Sequence, residues 1–341
     1  MADTMLPDSM LYDSAMRLFG DKVTPRLIAG TEKGGWPAEL WDAVEAAGFP
    51  DALADGVGGM AEAAAILRAA GHHAAPIPLA ETMLARQLCA AAGVPAPQGA
   101  ATVAPVVPGD RIILVGDTLS GRAARIPWGR DAATLVLVAE GRLFTAPRDR
   151  FGVEADANLA GEPRDELASV VAGPGAALPA GIDEGLVLRL GAVLRAAQMA
   201  GAMEAALGLA TRYANDRVQF GRPIGKFQAI QQQMALLAEE VAAALVAAER
   251  AAQALAEGAA SADIAVPAAK IRAGIAAGRV ADIAHQVHGA IGFTEEHSLH
   301  FLTRRLWSWR DEFGHESHWA QELGTKIAAA GAEQLWPLLT A

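Results

Sequence analysis

Cysteine is almost missing: Cys89 is the single one in 341 residues, so no disulfide can close within the chain and a reducing compartment suits it. Aromatic residues are scarce at 5%, with two tyrosines, which leaves the core to close packing of small aliphatic side chains. Positive charge is also in short supply. Lys and Arg number 28 against 39 Asp and Glu, a formal net charge of −11, and no Lys/Arg block stands out, so no nucleic-acid partner is expected. No apolar run reaches about 18 residues free of charges and helix breakers, so no membrane insertion is expected either. The opening MADTMLPDSMLYDS lacks a basic stretch followed by an apolar one, which points away from a secretory leader and toward a cytoplasmic location. The nucleophile-elbow, P-loop and HExxH spacings are absent as well, which removes the sequence basis for serine-hydrolase, P-loop and zinc-protease chemistry.

What the chain has is alanine, arranged in three zones. Residues 1–95 carry helical patterns over 8–18, 37–47, 59–70 and 80–92, with proline at starts and glycine at ends, as in WPAELWDAVEAAG. Residues 96–178 change period: RIILVG, ATLVLVAEG and GRLFTAP are short, β-branched-rich and bounded by turns at Gly109-Asp110, Gly116-Asp117 and Glu140-Gly141. With no helix between them, these strands predict a small β module rather than a parallel sheet. Residues 179–341 return to helical spacing, with Phe227, Ile230, Met234, Leu237, Val241 and Leu245 on one face, and predict a bundle of four or five helices.

Two patterns have ordinary explanations. Gly56-Val57-Gly58-Gly59-Met60-Ala61 fits a dinucleotide fingerprint but follows no strand, so it reads as a loop opening a helix. The pairs His285/His288 and His315/His318 share a helical spacing, yet a metal needs at least three protein ligands, and no metal is expected. The stretch YANDRVQFGRPIGKFQ at 213–228 is different, because it breaks the alanine pattern with cationic and aromatic residues. Arg217 can fork onto a phosphate, Phe220 offers a flat face, and Gly221 admits a close backbone approach. The plain alternative is a helix–helix corner. QVHGAIGFT at 286–294 adds amide, imidazole and backbone N–H groups at a glycine-rich turn, which could hold a diphosphate or could simply cap a helix.

Together these residues resemble the acyl-CoA dehydrogenase family. Arg217, Gln219, Phe220, Gly221, Ile224, Phe227, Gln228 and Gln231 match its RxQFGxxIxxFQxxQ pattern. Ala269-Lys270 matches the pair in the next helix, and Gln286, Gly289 and Gly292 match its QxxGxxG turn. The resemblance implies a mainly α fold: an N-terminal helical domain, a small middle β domain and a C-terminal four-helix bundle. It implies FAD as cofactor, contacted by Arg217, Gln219, Phe220, Gly221, Phe227, Gln228, Gln286, His288, Gly289 and Gly292 across a subunit interface. It further implies oxidation of an acyl-CoA thioester to a trans-2-enoyl-CoA, with an electron-transferring flavoprotein as acceptor. The family's base is usually a glutamate of a YEGT-like stretch, where this chain reads WRDEFGHES with Phe313 before Gly314 and Glu312 one place earlier. Other members carry the base on the first helix of the last domain, at the position of Gly191. Glu312 is the candidate base that remains, its alternative being a solvated helix-end carboxylate. The short β domain, with Trp128 near the expected flavin approach, is similar to that of reduced subunits acting on steroid-ring or side-chain CoA esters in α2β2 assemblies. Three readings stay open: a catalytic subunit of a homo-oligomer, a base-less FAD-completing partner in an α2β2 heterotetramer, and a non-enzymatic helical assembly protein.

Overall fold

The structure is a computed structural model that describes residues 9–340 except 55, 116, 117, 172 and 173; the turn expected at Gly116-Asp117 lies outside the described residues. Five helices come first: α1 (Ser9–Lys22), α2 (Pro25–Thr31), α3 (Ala38–Ala46), α4 (Met60–His72) and α5 (Leu79–Ala91). Four were legible from punctuation. The fifth, α2, is seven residues long and too short for periodicity, although Thr24 caps it by accepting from the Leu27 N–H at 3.2 Å and Pro25 supplies its first position. Gly56–Met60 forms a tight turn into α4, and a Cβ at Gly59 would lie 2.0 Å from the Ala52 carbonyl oxygen. The segment is a loop opening a helix, as the sequence predicts, and Gly59 is there for close packing.

Strands follow: β1 (Ala101–Ala104), β2 (Arg111–Val115), β3 (Thr118–Arg122), β4 (Ile126–Pro127), β5 (Thr134–Ala139), β6 (Arg142–Pro147), β7 (Phe151–Glu154), β8 (Arg164–Val170) and β9 (Ala176–Ala177). One sheet runs β1-β5-β6-β9; the other runs β2-β3-β8-β4, with β7 on β8. Nearly all pairs are antiparallel, and the β5–β6 hairpin turns at Glu140-Gly141 as expected. One pair corrects the sequence reading. β1 lies parallel to β5, because the chain crosses over through β2, β3 and β4 in the second sheet instead of through a helix. β5 is buried on both faces: Val136 and Val138 enter the main core, while Leu135, Leu137 and Ala139 enter the core between the sheets. Its unbroken apolar run reflects that double burial.

Helices then return: α6 (Glu184–Asp216), α7 (Gln228–Ala256), α8 (Ala262–His288), α9 (Leu299–Trp309), α10 (Glu316–Ala330) and α11 (Leu335–Thr340), with a two-stranded hairpin, β10 (Val218–Gln219) and β11 (Arg222–Pro223), between α6 and α7. Three long helices, α6, α7 and α8, pack on one another, and α10 completes the bundle against α8. By length and composition α6 could cross a membrane, but most of its apolar stretch is buried inside the protein. The first helices are not a separate layer. α4 crosses α6 so closely that a Cβ at Gly71 would sit 1.9 Å from the Gln198 oxygen, and one at Gly201 would sit 1.8 Å from the Arg68 oxygen. Glycine on both sides brings the backbones together, and a single apolar core runs through both helical regions.

Candidate functional site

Gly191 and Phe313, which the family resemblance aligns with two alternative base positions, meet in space. α6 starts at the Asp183 cap, whose side chain accepts from the Leu186 N–H at 2.9 Å, and its second turn presents Gly191 to the segment after α9. Phe313 adopts a left-handed backbone conformation with φ +51°, followed by Gly314 at φ +93°. Side chains fix this turn. Lys270 Nζ donates to the carbonyls of Arg310 and Gly314 at 2.7 Å each, and Trp319 Nε1 donates to the Phe313 carbonyl at 3.0 Å. The Phe313 ring is thereby pressed onto Gly191, where a Cβ would lie 2.1 Å from its Cδ1. Neither position carries a carboxylate, and Phe313 is 1% exposed.

The neighbouring carboxylate, Glu312, is buried, so the solvated helix-end alternative does not describe it. Arg164 Nε, on β8, donates to its Oε1 at 2.6 Å, and Arg195 Nη2, on α6, lies 2.8 Å from its Oε2 as an ion pair without hydrogen-bond alignment. Arg195 also donates to Glu81 of α5 and to Gln198. Arg164 Nη2 reaches Glu162 at 3.0 Å, and Glu162 accepts further from Trp309 Nε1 at 2.9 Å and pairs with Arg305 Nε at 3.1 Å. Three arginines and three glutamates, all buried, thus join the N-terminal helices, the β module and the bundle at one point. Burial alone would raise Glu162, but Arg305 and Arg164 outweigh it and hold the carboxyl at about 2. Burial would lower Arg164, yet Glu312 and Glu162 hold its guanidinium above the ordinary value. Lys270, buried and without a carboxylate in contact among the described residues, is pushed down to about 7 by desolvation, which Glu312 only partly offsets. Sequence reasoning singled out Glu312 and missed its arginines. The signals were faint: Arg195 inside an alanine-rich helix and a charged EPRDE run leading into a strand.

The second group of expected residues gathers at the opposite end of α6. Arg217, Gln219, Phe220 and Gly221 form the β10–β11 hairpin, Phe227 precedes α7, and Gln228 is its first residue. Phe220 and Gly221 occupy the two central turn positions at φ +51° and +78°, the conformation of a tight hairpin that ordinarily takes Asn-Gly. A phenylalanine there costs about 1 kcal/mol, and its ring is 92% exposed. Phe227 stands edge-on to it at 6.0 Å, with the Arg222 guanidinium 4.3 Å over the Phe227 ring. Gln286 is exposed near the end of α8, His288 is its last residue, and Gly289 and Gly292 form the turn beyond. His288 stacks on Tyr213 at 4.7 Å, so α6 and α8 end side by side and release the hairpin and the glycine turn at one end of the bundle. The side chains of Arg217, Gln219 and Gln286 have no partner among the described residues, and His288 Nε2 is buried without one. An adenosine diphosphate group fits these donors: an unpaired guanidinium, a free amide, an orphaned imidazole nitrogen and an unoccupied aromatic face. His285 turns elsewhere, Nε2 meeting Thr303 Oγ1 at 2.9 Å.

Helices, two small sheets and a bundle, with an arginine-aromatic hairpin beside a glycine turn, define the architecture of acyl-CoA dehydrogenases. The family described as acyl-CoA dehydrogenase, C-terminal domain, matches residues 186–310. Acyl-CoA dehydrogenase IpdE2 of Mycolicibacterium smegmatis is 31% identical over 308 residues, covering 87% of this chain and 91% of the relative. Its namesake from Mycobacterium tuberculosis is 31% identical over 318 residues, covering 87% and 89%. This chain belongs to the acyl-CoA dehydrogenase family. Among solved structures, a Tcur3481–Tcur3483 steroid ACAD variant superposes with a TM-score of 0.85 at 26% identity, covering 95% of this chain and 98% of that one. The ChsE4–ChsE5 complex from Mycobacterium tuberculosis shares the fold, with a TM-score of 0.84 at 23% identity over 97% and 100%.

Proposed function

We propose that this chain is the FAD-completing subunit of a two-component acyl-CoA dehydrogenase, and that its partner subunit carries the base. The observation that carries this reading is the Gly191–Phe313 contact, which fills both candidate base positions with one side-chain-free residue and one benzyl group. Glu312 is the remaining carboxylate beside them, and two buried arginines claim it. A general base needs a carboxylate oxygen free to reach substrate; Glu312 is buried, with Arg164 on one oxygen and Arg195 on the other. Its role in this reading is to pin the β module to the bundle.

FAD, bound between the subunits, supplies the acceptor for the β-hydride of an acyl-CoA thioester as the product becomes a trans-2-enoyl-CoA. This chain's contribution is to bind. Arg217 neutralises a diphosphate, Phe220 and Phe227 give stacking faces, and Gln228, Gln286, His288 and the Gly289–Gly292 turn offer hydrogen bonds and close backbone approach. Gln219 offers its free amide to the same group, and Gly221 at φ +78° lets the hairpin turn and the backbone approach closely. The strained, exposed Phe220 supports an interface role, since a ring held in that conformation is covered only by a ligand or a partner. The two-component name of the 26%-identical structural neighbour supports an α2β2 assembly. Its steroid designation makes a steroid-derived acyl-CoA the first substrate to assay, with an electron-transferring flavoprotein as the acceptor. We place the assembly in the cytoplasm and divide the chain at 1–95, 96–178 and 179–341.

Co-expression with the gene product encoded beside it, followed by native mass and flavin stoichiometry, tests the reading. The expected result is a heterotetramer with two FAD and enoyl-CoA formation that requires both chains. A homotetramer of this chain that turns over an acyl-CoA by itself would overturn it.

A further inference from the structure

A cleft of about 280 Å³ lies between the segment around Val23, the end of α4, the second half of α6 and the start of α9. It is remote from the Gly191–Phe313 contact: 17 residues of α6 separate Gly191 from Gly208 in its wall, about 25 Å of helix. Ile28, Leu209, Phe301 and Leu302 make its body apolar. The rim is polar and cationic. Arg212 lines it with no carboxylate or hydrogen-bond partner among the described residues, and its Nη1 lies 3.6 Å from where a Cβ of Gly208 would stand. The guanidinium is therefore folded back over the glycine and into the mouth of the cleft.

His72 and His73 also line the cleft, and His72 Nδ1 and His73 Nε2 are both buried without a partner. Ser298 precedes α9 without making the usual capping hydrogen bond, which leaves its hydroxyl free at the same rim. Burial keeps both histidines neutral, with His73 down to about 4, so they act as hydrogen-bonding groups while Arg212 is the fixed charge. The acidic side chain that acts on His72, Glu204, is already engaged by a forked pair from Arg68 at 2.7 and 2.9 Å. An unpaired guanidinium beside unsatisfied donors selects an anion, and the apolar walls select a hydrocarbon body attached to it.

We propose that this cleft is a second ligand site, remote from the Gly191–Phe313 contact, which takes a monocarboxylate with an apolar body of roughly ten non-hydrogen atoms. The carboxylate lies on Arg212 and the Ser298 hydroxyl, and the body lies against Leu209, Phe301 and Leu302. Octanoate is the probe and 1-octanol its uncharged counterpart, each titrated calorimetrically into the full chain in the assembly in which it purifies. One octanoate should bind per chain, with affinity at least about tenfold lower for 1-octanol and for Arg212→Gln. Gly208→Met, which projects a side chain into the cleft from a helical position, should abolish binding. Arg212 is exposed and unpaired, so its variant retains the native circular dichroism and remains a fair comparison even if the methionine variant does not fold. Octanoate that fails to saturate, or that binds Arg212→Gln as well as the unaltered chain, overturns the proposal. The measurement needs neither turnover nor a second subunit, so its failure leaves the two-component reading untouched.

Discussion

A side chain at position 191 has no room, and that can be measured. Gly191→Ala would drive a methyl group to within 2.1 Å of the Phe313 ring, and overpacking of this kind destabilises by about 1–3 kcal/mol. Urea unfolding should show that loss, and Phe313→Leu should recover much of it in the double variant, a coupling expected only for residues in contact. Glu312 gives the second test at this scale. Glu312→Gln removes one of two buried counter-charges from Arg164 and from Arg195, Glu162 and Glu81 remaining, which costs about 1–3 kcal/mol. Folded assembly carrying the change should keep its turnover; full stability with no turnover would instead make Glu312 the base. The identities at 191, 312 and 313 could be read from the motifs. Their surroundings could not, because Arg164 lies 148 residues from Glu312 and no period links a strand to a distant turn.

Among the elements, the β10–β11 hairpin is built for contact more than for stability. Its ends are tied: the Ile224 N–H donates to the Arg217 carbonyl at 2.8 Å, and Gln231 Nε2 donates to the Gly225 carbonyl at 3.1 Å. Its tip buries nothing. Arg217→Ala and Phe220→Ala should therefore change folding stability by no more than about 0.5 kcal/mol, while Arg217→Ala weakens FAD retention roughly ten- to a hundredfold through loss of a charge-assisted hydrogen bond. Flavin absorbance after gel filtration reads the second effect and thermal unfolding the first. Long elements were well marked in the sequence, since proline starts, glycine ends and sustained periodicity survive any tertiary context. The sequence pattern predicts four or five helices of about 20 to 35 residues, but the bundle has three long ones and α9, α10 and α11 at 11, 15 and 6 residues. Apolar spacing could not mark the α9–α10 break, because Glu312, Phe313 and Gly314 in that turn are themselves buried. β8 escaped notice for a related reason: it begins with Arg164 and Asp165, charges that are buried and paired inside the protein.

For the molecule as a whole, charge is buried where the three regions meet, and pH should expose that. Glu162 has a folded value of about 2, below its ordinary 4.5; its contribution is complete above pH 4.5 and is lost as pH falls toward 2. Lys270 works in the other direction. With a folded value of about 7 against an ordinary 10.5, it imposes the full cost of a buried cation below pH 7, and that cost fades as pH rises to 10.5. Stability should therefore climb across that alkaline window, and Lys270→Met should flatten the climb in urea titrations, although it leaves the Arg310 and Gly314 carbonyls without their donor. The glycine crossing of α4 and α6 makes the helical regions one cooperative unit. Hydrogen exchange should show them opening together, with the sheets, which keep a core of their own, opening at lower cost.

The contact between Gly191 and Phe313 also constrains descent. A mutation restoring glutamate at 191 meets an aromatic ring already in place, and one restoring a carboxylate at 313 forfeits the ring that fills the gap above the glycine. Each single step back toward self-sufficiency passes through a damaged protein, so the route is closed to one change at a time. Under the two-component proposal such a pair acts as a ratchet: once both are set, the lineage depends on its partner, and the two genes are expected to be inherited or lost together.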